Sequence, residues 1–306
     1  MKRLSEGRKM FASVMTIFIA FAAVFILFDD FDRAHFAPFS ESGDWHLLIF
    51  SLVVMIGLGI VLYRYAHRMD ERISREQAEK ETQMRRELTQ NISHELKTPV
   101  ASIQGYCETL LEHPDIDPEQ SRQFISRTHQ QAMRLSSLLQ DLSMLNRMDY
   151  AAHMFTRERV NVSKMVAEMI REIQHLASGR NVTLSNCLPE NIILHGDEGL
   201  LYSIFRNLMD NAINYAGEGT IVEISADEES KVWRFTVSDN GQGIASEHLP
   251  RIFERFYRID KGRSRSLGGT GLGLSIVKNA VQLHGGTITA TATEPHGLTF
   301  TFTLLK

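Results

Sequence analysis

The 306-residue chain carries 33 Lys and Arg against 37 Asp and Glu, a formal net charge of -4, which excludes the basic balance expected of a nucleic-acid-binding protein. Its length leaves room for two modest globular modules beside membrane spans. Cys107 and Cys187 lack zinc-site spacing and lie outside the segment between the two long apolar runs, so both are expected as reduced packing residues.

Residues 1–10 form a basic tail with Lys2, Arg3, Arg8 and Lys9. Residues 11–28 are apolar but for Ser13 and Thr16, and residues 47–63 form a second apolar run, each about long enough to span hydrocarbon as a helix. The intervening segment, 29–46, is acidic, whereas Arg64 and Arg68 follow the second run. This bias places both termini on the cytoplasmic side of a cell membrane that the chain crosses twice. A cleaved signal peptide fits the first run poorly, because Phe28-Asp29-Asp30 is no small-residue cleavage site. The external segment is too short to build a core of its own. Residues 64–84 then read as a charged helical linker.

Residues 85–150 are expected as two helices. In the first, His94 and Thr98 are one turn apart on one face, with Glu95 beside them. A neutral imidazole is a competent nucleophile, and an adjacent carboxylate can hold its other nitrogen and take its proton. Pro99 leaves the carbonyl of Glu95 without its helical partner, which predicts a bend. The helix should end near Glu112, at His113-Pro114-Asp115-Ile116-Asp117-Pro118. In the second helix Phe124, Gln131, Leu138 and Leu145 recur every seven residues, interleaved with Thr128, Leu135 and Leu142, a coiled-coil seam. A homodimeric four-helix bundle buries such a seam economically; packing against the rest of the same chain is the alternative. A polar linker should begin near Asp149.

Residues 156–306 alternate helices (Ser163 to Leu176, Leu200 to Tyr215) with strands (Ile221 to Ala226, Trp233 to Val237, Thr287 to Thr291, Thr299 to Leu304), which suits an α/β sandwich with helices over one sheet face. Three segments here carry chemistry. Asn207 and Asn211 recur at i and i+4 on one helix, and amide oxygens are hard ligands suited to Mg²⁺ on nucleotide phosphates. Asp239, at the end of a strand and followed by Gly241 and Gly243, can accept a hydrogen bond from the exocyclic amine of a purine. Gly268-Gly269-Thr270-Gly271-Leu272-Gly273 opens a helix whose first N–H groups can meet phosphate oxygens.

Together with Phe253-Glu254-Arg255-Phe256-Tyr257-Arg258, these segments and the box around His94 resemble the sensor histidine kinases of bacterial two-component systems, from about Arg85 to Lys306. The ATP lobe is similar to the superfamily that also holds gyrase, heat-shock and mismatch-repair ATPases. The resemblance implies an all-α phosphoacceptor domain joined to an α/β ATP-binding domain, ATP with Mg²⁺, a homodimer and a cognate response regulator. It implies His94 as acceptor, Glu95 as base, and Thr98 as a residue that positions water for dephosphorylating the regulator. It further implies Asn207, Asn211, Tyr215, Asp239, Gly241, Gly243, Arg258, Gly269, Thr270, Gly271, Leu272 and Gly273 around the nucleotide, with Asn211 as the Mg²⁺ residue. Phe253 and Phe256 read as anchors of the lid. Kinases with this layout resemble those that sense within the membrane, through lipid or a membrane-protein partner. Many family members carry lysine where this chain has Asn214, so either nucleotide affinity or turnover is reduced, or Arg206 or Arg258 substitutes for that charge. A regulator phosphatase, and an ATP-binding scaffold without chemistry, are the competing functions.

Overall fold

The computed structural model describes residues 44–150, 156–259, 269–293 and 296–306. It divides into two compact units, residues 1–87 and 88–306. The expected first span and most of the external loop lie outside the described residues.

In the first unit the described chain is the opening part of helix α1 (Asp44–Glu112). The second expected span, 47–63, is helical throughout. Among the described residues, however, no helix is long and apolar enough to cross a membrane. The side chains of residues 44–51, 53, 54 and 61 are outside that description. Those described around them include Leu52, Ile56, Leu58 and Ile60, all more than half exposed.

The second unit begins with the rest of α1, which Pro99 does not interrupt, and helix α2 (Pro118–Tyr150). Asp117 caps α2 by accepting from the amides of Glu119 (3.1 Å) and Gln120 (3.3 Å), with Pro118 at the first helical position where no N–H is needed. The helix runs on through Asp149 and Tyr150, where a linker was expected; residues 151–155 are outside the description. The seam on α2 serves two surfaces. Leu138 and Leu145, with Met148, are buried in the same apolar cluster as the following lobe, whereas Phe124, Thr128, Gln131 and Leu135 are only half-buried.

The lobe itself is β1 (Glu158–Asn161), α3 (Val162–Ser178), β2 (Thr183–Cys187), β3 (Ile193–Gly196), α4 (Glu198–Tyr215), β4 (Ile221–Glu228), β5 (Val232–Asp239), α5 (Gly273–Leu283), β6 (Ile288–Ala292) and β7 (Leu298–Leu305). Five strands form one sheet in the order β2-β4-β5-β7-β6, parallel only between β2 and β4; β1 and β3 form a separate antiparallel pair. Sequence periodicity missed β1, β2 and β3, which are short and carry polar residues such as Glu158, Arg159 and Asn186. The period-2 rule orders the core: Phe235 and Val237 on β5 pair with Phe302 and Phe300 on β7, all facing the helices. Phe205 of α4 sits on this layer, with ring centroids 5.3 Å from Phe235 and 5.6 Å from Phe302 in edge-on geometry. Asp239 follows Val237 by two residues, so the same rule turns its carboxylate inward, under the helices. Cys107 and Cys187 correct the sequence reading: both thiols are free but exposed, not packed.

Candidate functional site

A cleft of about 460 Å³ opens over the end of β5, between α4 and the segments around residues 241–259 and 269–274. It gathers Asn207, Asn211, Tyr215, Asp239, Gly243, Arg258, Gly269, Thr270, Gly271 and Gly273 of the sequence-expected set. Two others stand behind its wall: Leu272 is fully buried in the core, and Gly241 lies so close to the Ala216 backbone that a Cβ would come within 2.3 Å of its oxygen.

Each polar group in the cleft is fixed by its surroundings. Asp239, 7% exposed, uses Oδ1 to accept from the amides of Gly241 (3.0 Å) and Leu298 (3.3 Å). That bonding leaves the other oxygen as the acceptor for a ligand. Burial raises its pKa above the ordinary carboxylate value, while the two amides oppose the shift. Asn207 donates through Nδ2 to the carbonyl (2.8 Å) and hydroxyl (3.1 Å) of Ser203, which turns its Oδ1 toward Gly273. A Cβ at Gly273 would meet that oxygen at 2.5 Å, so only glycine lets the helix start this close to the amide. Gln242, unassigned from sequence, ties the wall together by donating to the Tyr215 carbonyl at 2.9 Å.

The cleft reaches α1 through Arg258. This side chain, 6% exposed, donates to the Gly269 carbonyl and lies 3.4 Å from Glu95 Oε2. Arg134 of α2 binds the same carboxylate oxygen at 3.0 Å. Glu95, expected to serve the histidine, is thus also the counterion of two guanidinium groups. Phe256, held at φ 62° with its amide donating to Gly271 (2.8 Å), sets the direction in which Arg258 leaves the chain. His94 itself is exposed, and Thr98 Oγ1 donates back to its carbonyl at 3.1 Å. Further contacts seat the lobe on α2: Thr270 donates to Asp141 (2.7 Å), and Arg255 grips Asp149 with two bonds of 2.8 and 3.0 Å. Desolvation raises the Asp141 pKa, partly offset by the Thr270 hydroxyl. Arg134 and Asp141 were missed because a charged residue inside a heptad stretch reads as a solvated position.

The two arginines considered beside Asn214 are placed differently. Arg206 pairs with Asp210 at 2.8 Å and does not line the cleft, whereas Arg258 does. Arg180, unremarked in the sequence, donates to Asn214 Oδ1 at 2.5 Å. Among the described residues no cluster of His, Cys, Asp and Glu could hold a metal alone. The donors that line the cleft are of a different kind: the amide side chains of Asn207 and Asn211, whose oxygens are hard ligands of the sort Mg²⁺ accepts.

Known proteins share this organisation. Residues 84–151 match the His Kinase A (phospho-acceptor) domain, and residues 196–306 match the histidine kinase-, DNA gyrase B- and HSP90-like ATPase family. The chain is 37% identical over 220 residues to the sensor-like histidine kinase SenX3 of Mycolicibacterium smegmatis, covering 72% of this chain and 57% of the relative. It is 36% identical over 229 residues to the sensor histidine kinase WalK of Bacillus subtilis, covering 74% and 37%. The chain therefore spans about half or less of the length of these relatives. The fold is similar to that of the Acinetobacter baumannii histidine kinase AdeS, with a TM-score of 0.58 at 23% identity over 69% of this chain and 97% of that one. ShkA, solved in complex with AMPPNP, gives a TM-score of 0.53 at 26% identity over 69% of this chain and 44% of that one.

The buried charge at Asp239 generates a paired expectation for Asp239→Asn. An amide oxygen still accepts from Gly241 and Leu298, and the cost of burying a charge is gone, so thermal unfolding near neutral pH should occur at the same or a higher temperature. Nucleotide titration of the same variant should show a smaller preference for ATP over GTP. An unchanged preference would remove Asp239 from the adenine site.

Proposed function

The chain belongs to the sensor histidine kinase family, and from that premise we propose that it transfers the γ-phosphoryl group of ATP to His94 and from there to an aspartate of a separate response regulator. The observation that carries this reading is Arg258, a single side chain that lines the nucleotide cleft and pairs with the residue next to His94. In the transfer a ring nitrogen of His94 forms a bond to phosphorus as the bond to the bridging oxygen breaks and ADP leaves. Glu95 takes the proton from the other ring nitrogen, which requires its carboxylate to exchange an arginine for the imidazole. Asp239 holds the adenine amine, and the N–H groups opening α5 and Arg258 face the phosphates. Asn211 and Asn207 would hold Mg²⁺ together with the nucleotide, and the ion would supply charge neutralisation there. Catalysis of this kind is mostly positioning and electrostatics.

The half-buried part of the α2 seam and the exposed Ile125 and Met133 favour a homodimer of the four-helix-bundle type. A second activity, dephosphorylation of the regulator, is favoured by a specific feature: with the lobe seated on α2, His94 and Thr98 stay exposed while Glu95 is engaged by arginines. We further propose that residues 47–63 cross a membrane, with residues 11–28 as the other span. The support is the exposure of Leu52, Ile56, Leu58 and Ile60 in an apolar stretch of α1 that gives way to Tyr63, Arg64 and Tyr65, residue types of a membrane interface. Sensing then takes place in or at the membrane, through lipid or a protein partner.

The tests separate these activities. Incubation with ATP labelled at the γ-phosphate should give an acid-labile, alkali-stable label that His94→Gln abolishes while ATP binding stays within about twofold, since acceptor and cleft are on different domains. Label persisting in that variant would refute the acceptor. Thr98→Ala should slow regulator dephosphorylation by about tenfold or more and autophosphorylation far less. Equal losses would point to distortion of the helix near Pro99. For the spans, the full-length protein should stay with membranes through an alkaline wash, and its release would remove the membrane assignment.

A further inference from the structure

His284 ends α5 on the side of the lobe away from the glycine segment, and no family motif used above includes it. Its ring is committed at both nitrogens. The backbone N–H of Asp197 donates to Nε2 at 3.2 Å, so that nitrogen carries no proton; Nδ1 therefore carries it and donates to the Ala280 carbonyl at 2.8 Å. Asp197 is the N-cap of α4, its Oδ1 accepting from the Leu200 amide at 3.0 Å. The ring also fills the place beside Gly196 where any side chain would begin: a Cβ there would lie 2.4 Å from Nε2.

The helices joined by this bond run antiparallel. At one end His284 touches the head of α4; at the other Gly273 meets Asn207. Asn207 lies 10 residues beyond Asp197, and His284 lies 11 beyond Gly273. At about 1.5 Å per helical residue the two arms measure about 15 and 16.5 Å, nearly equal. A shift at the His284 end therefore reaches the cleft end undiminished, because a helix slides as a rod.

We propose that His284 is a positioning residue for the nucleotide site: bonded from the tail of α5 to the backbone at the head of α4, it sets the register in which the glycine and asparagine segments face each other. The inference rests on the cleft being the ATP site. A protonated ring cannot accept from Asp197. Burial lowers the pKa of His284 below the ordinary histidine value, reinforced by Arg157 and opposed by the Ala280 carbonyl and Asp197. As pH falls through about 6.5 the unfolded chain takes up this proton first and stability begins to fall, while the bond itself breaks at the lower pH where the folded ring is protonated.

The variants that decide it are His284→Gln and His284→Asn in the full-length chain. Glutamine can place an acceptor near the position of Nε2; asparagine reaches Ala280 but not Asp197. His284→Gln should keep the KM for ATP within about twofold of wild type, and His284→Asn should raise it about tenfold while kcat at saturating ATP changes by less than about threefold. The wild-type KM should climb only on the acid side of the ordinary histidine range, where the folded ring takes up its proton, and that of His284→Gln should not. Equal KM values in all three proteins overturn the proposal, as does an equal loss in both variants. If the wild type neither binds ATP nor labels His94, the ATP reading fails instead. The exchange rate of the Asp197 amide then decides the contact: slow in wild type and His284→Gln but fast in His284→Asn supports it, and equal rates in all three overturn it.

Discussion

The close packing of α4 against α5 over the Phe205, Phe235 and Phe302 layer is the constraint on which the site depends. Phe235 and Phe302 stack with centroids 5.2 Å apart, giving α4 a flat apolar floor, and Gly273 removes the one atom that would hold α5 away from Asn207. Loosening either contact would separate the Asn207 amide oxygen from the N–H groups that open α5. The inward carboxylate of Asp239 follows from the same layer, since strand parity continues past Val237 without a break. Its burial is the cost of placing an acceptor at the floor of the cleft.

Much of this was legible in the sequence because it rests on local chemistry. The asparagines recur at a helical spacing, the aspartate ends an alternating strand, and the glycines open a helix, so each motif announced its element. Arg258 was marked as a phosphate contact, and it does line the cleft. What the sequence withheld depends on long-range pairing. Nothing local about Arg134, 39 residues from Glu95, says that it faces that carboxylate. His284 likewise reads as an ordinary residue at a helix end until Asp197, 87 residues earlier, is folded beside it. The short strands β1 to β3 escaped for a related reason, since their order comes from neighbours and not from an apolar alternation of their own.

The heptad seam illustrates how a correct pattern can have two outcomes. Periodicity shows that one stripe of α2 is buried but carries no information about what covers it. Here the stripe is divided along its length, half-buried toward Phe124 and fully covered by the lobe toward Leu145.

That division sets the energy scale for moving the lobe. Baring Leu138, Leu145 and Met148 to water would cost about 1.5–3 kcal/mol for each fully buried side chain, whereas an exposed ion pair contributes about 0–1 kcal/mol. Arg255 and Asp149, part-exposed, are therefore a guide to orientation more than a source of grip. The apolar part of this seat does not weaken with salt. A motion that carries the cleft toward a histidine first uncovers this apolar patch and is uphill until the three side chains are covered again, so it should proceed as a switch with no favoured halfway position.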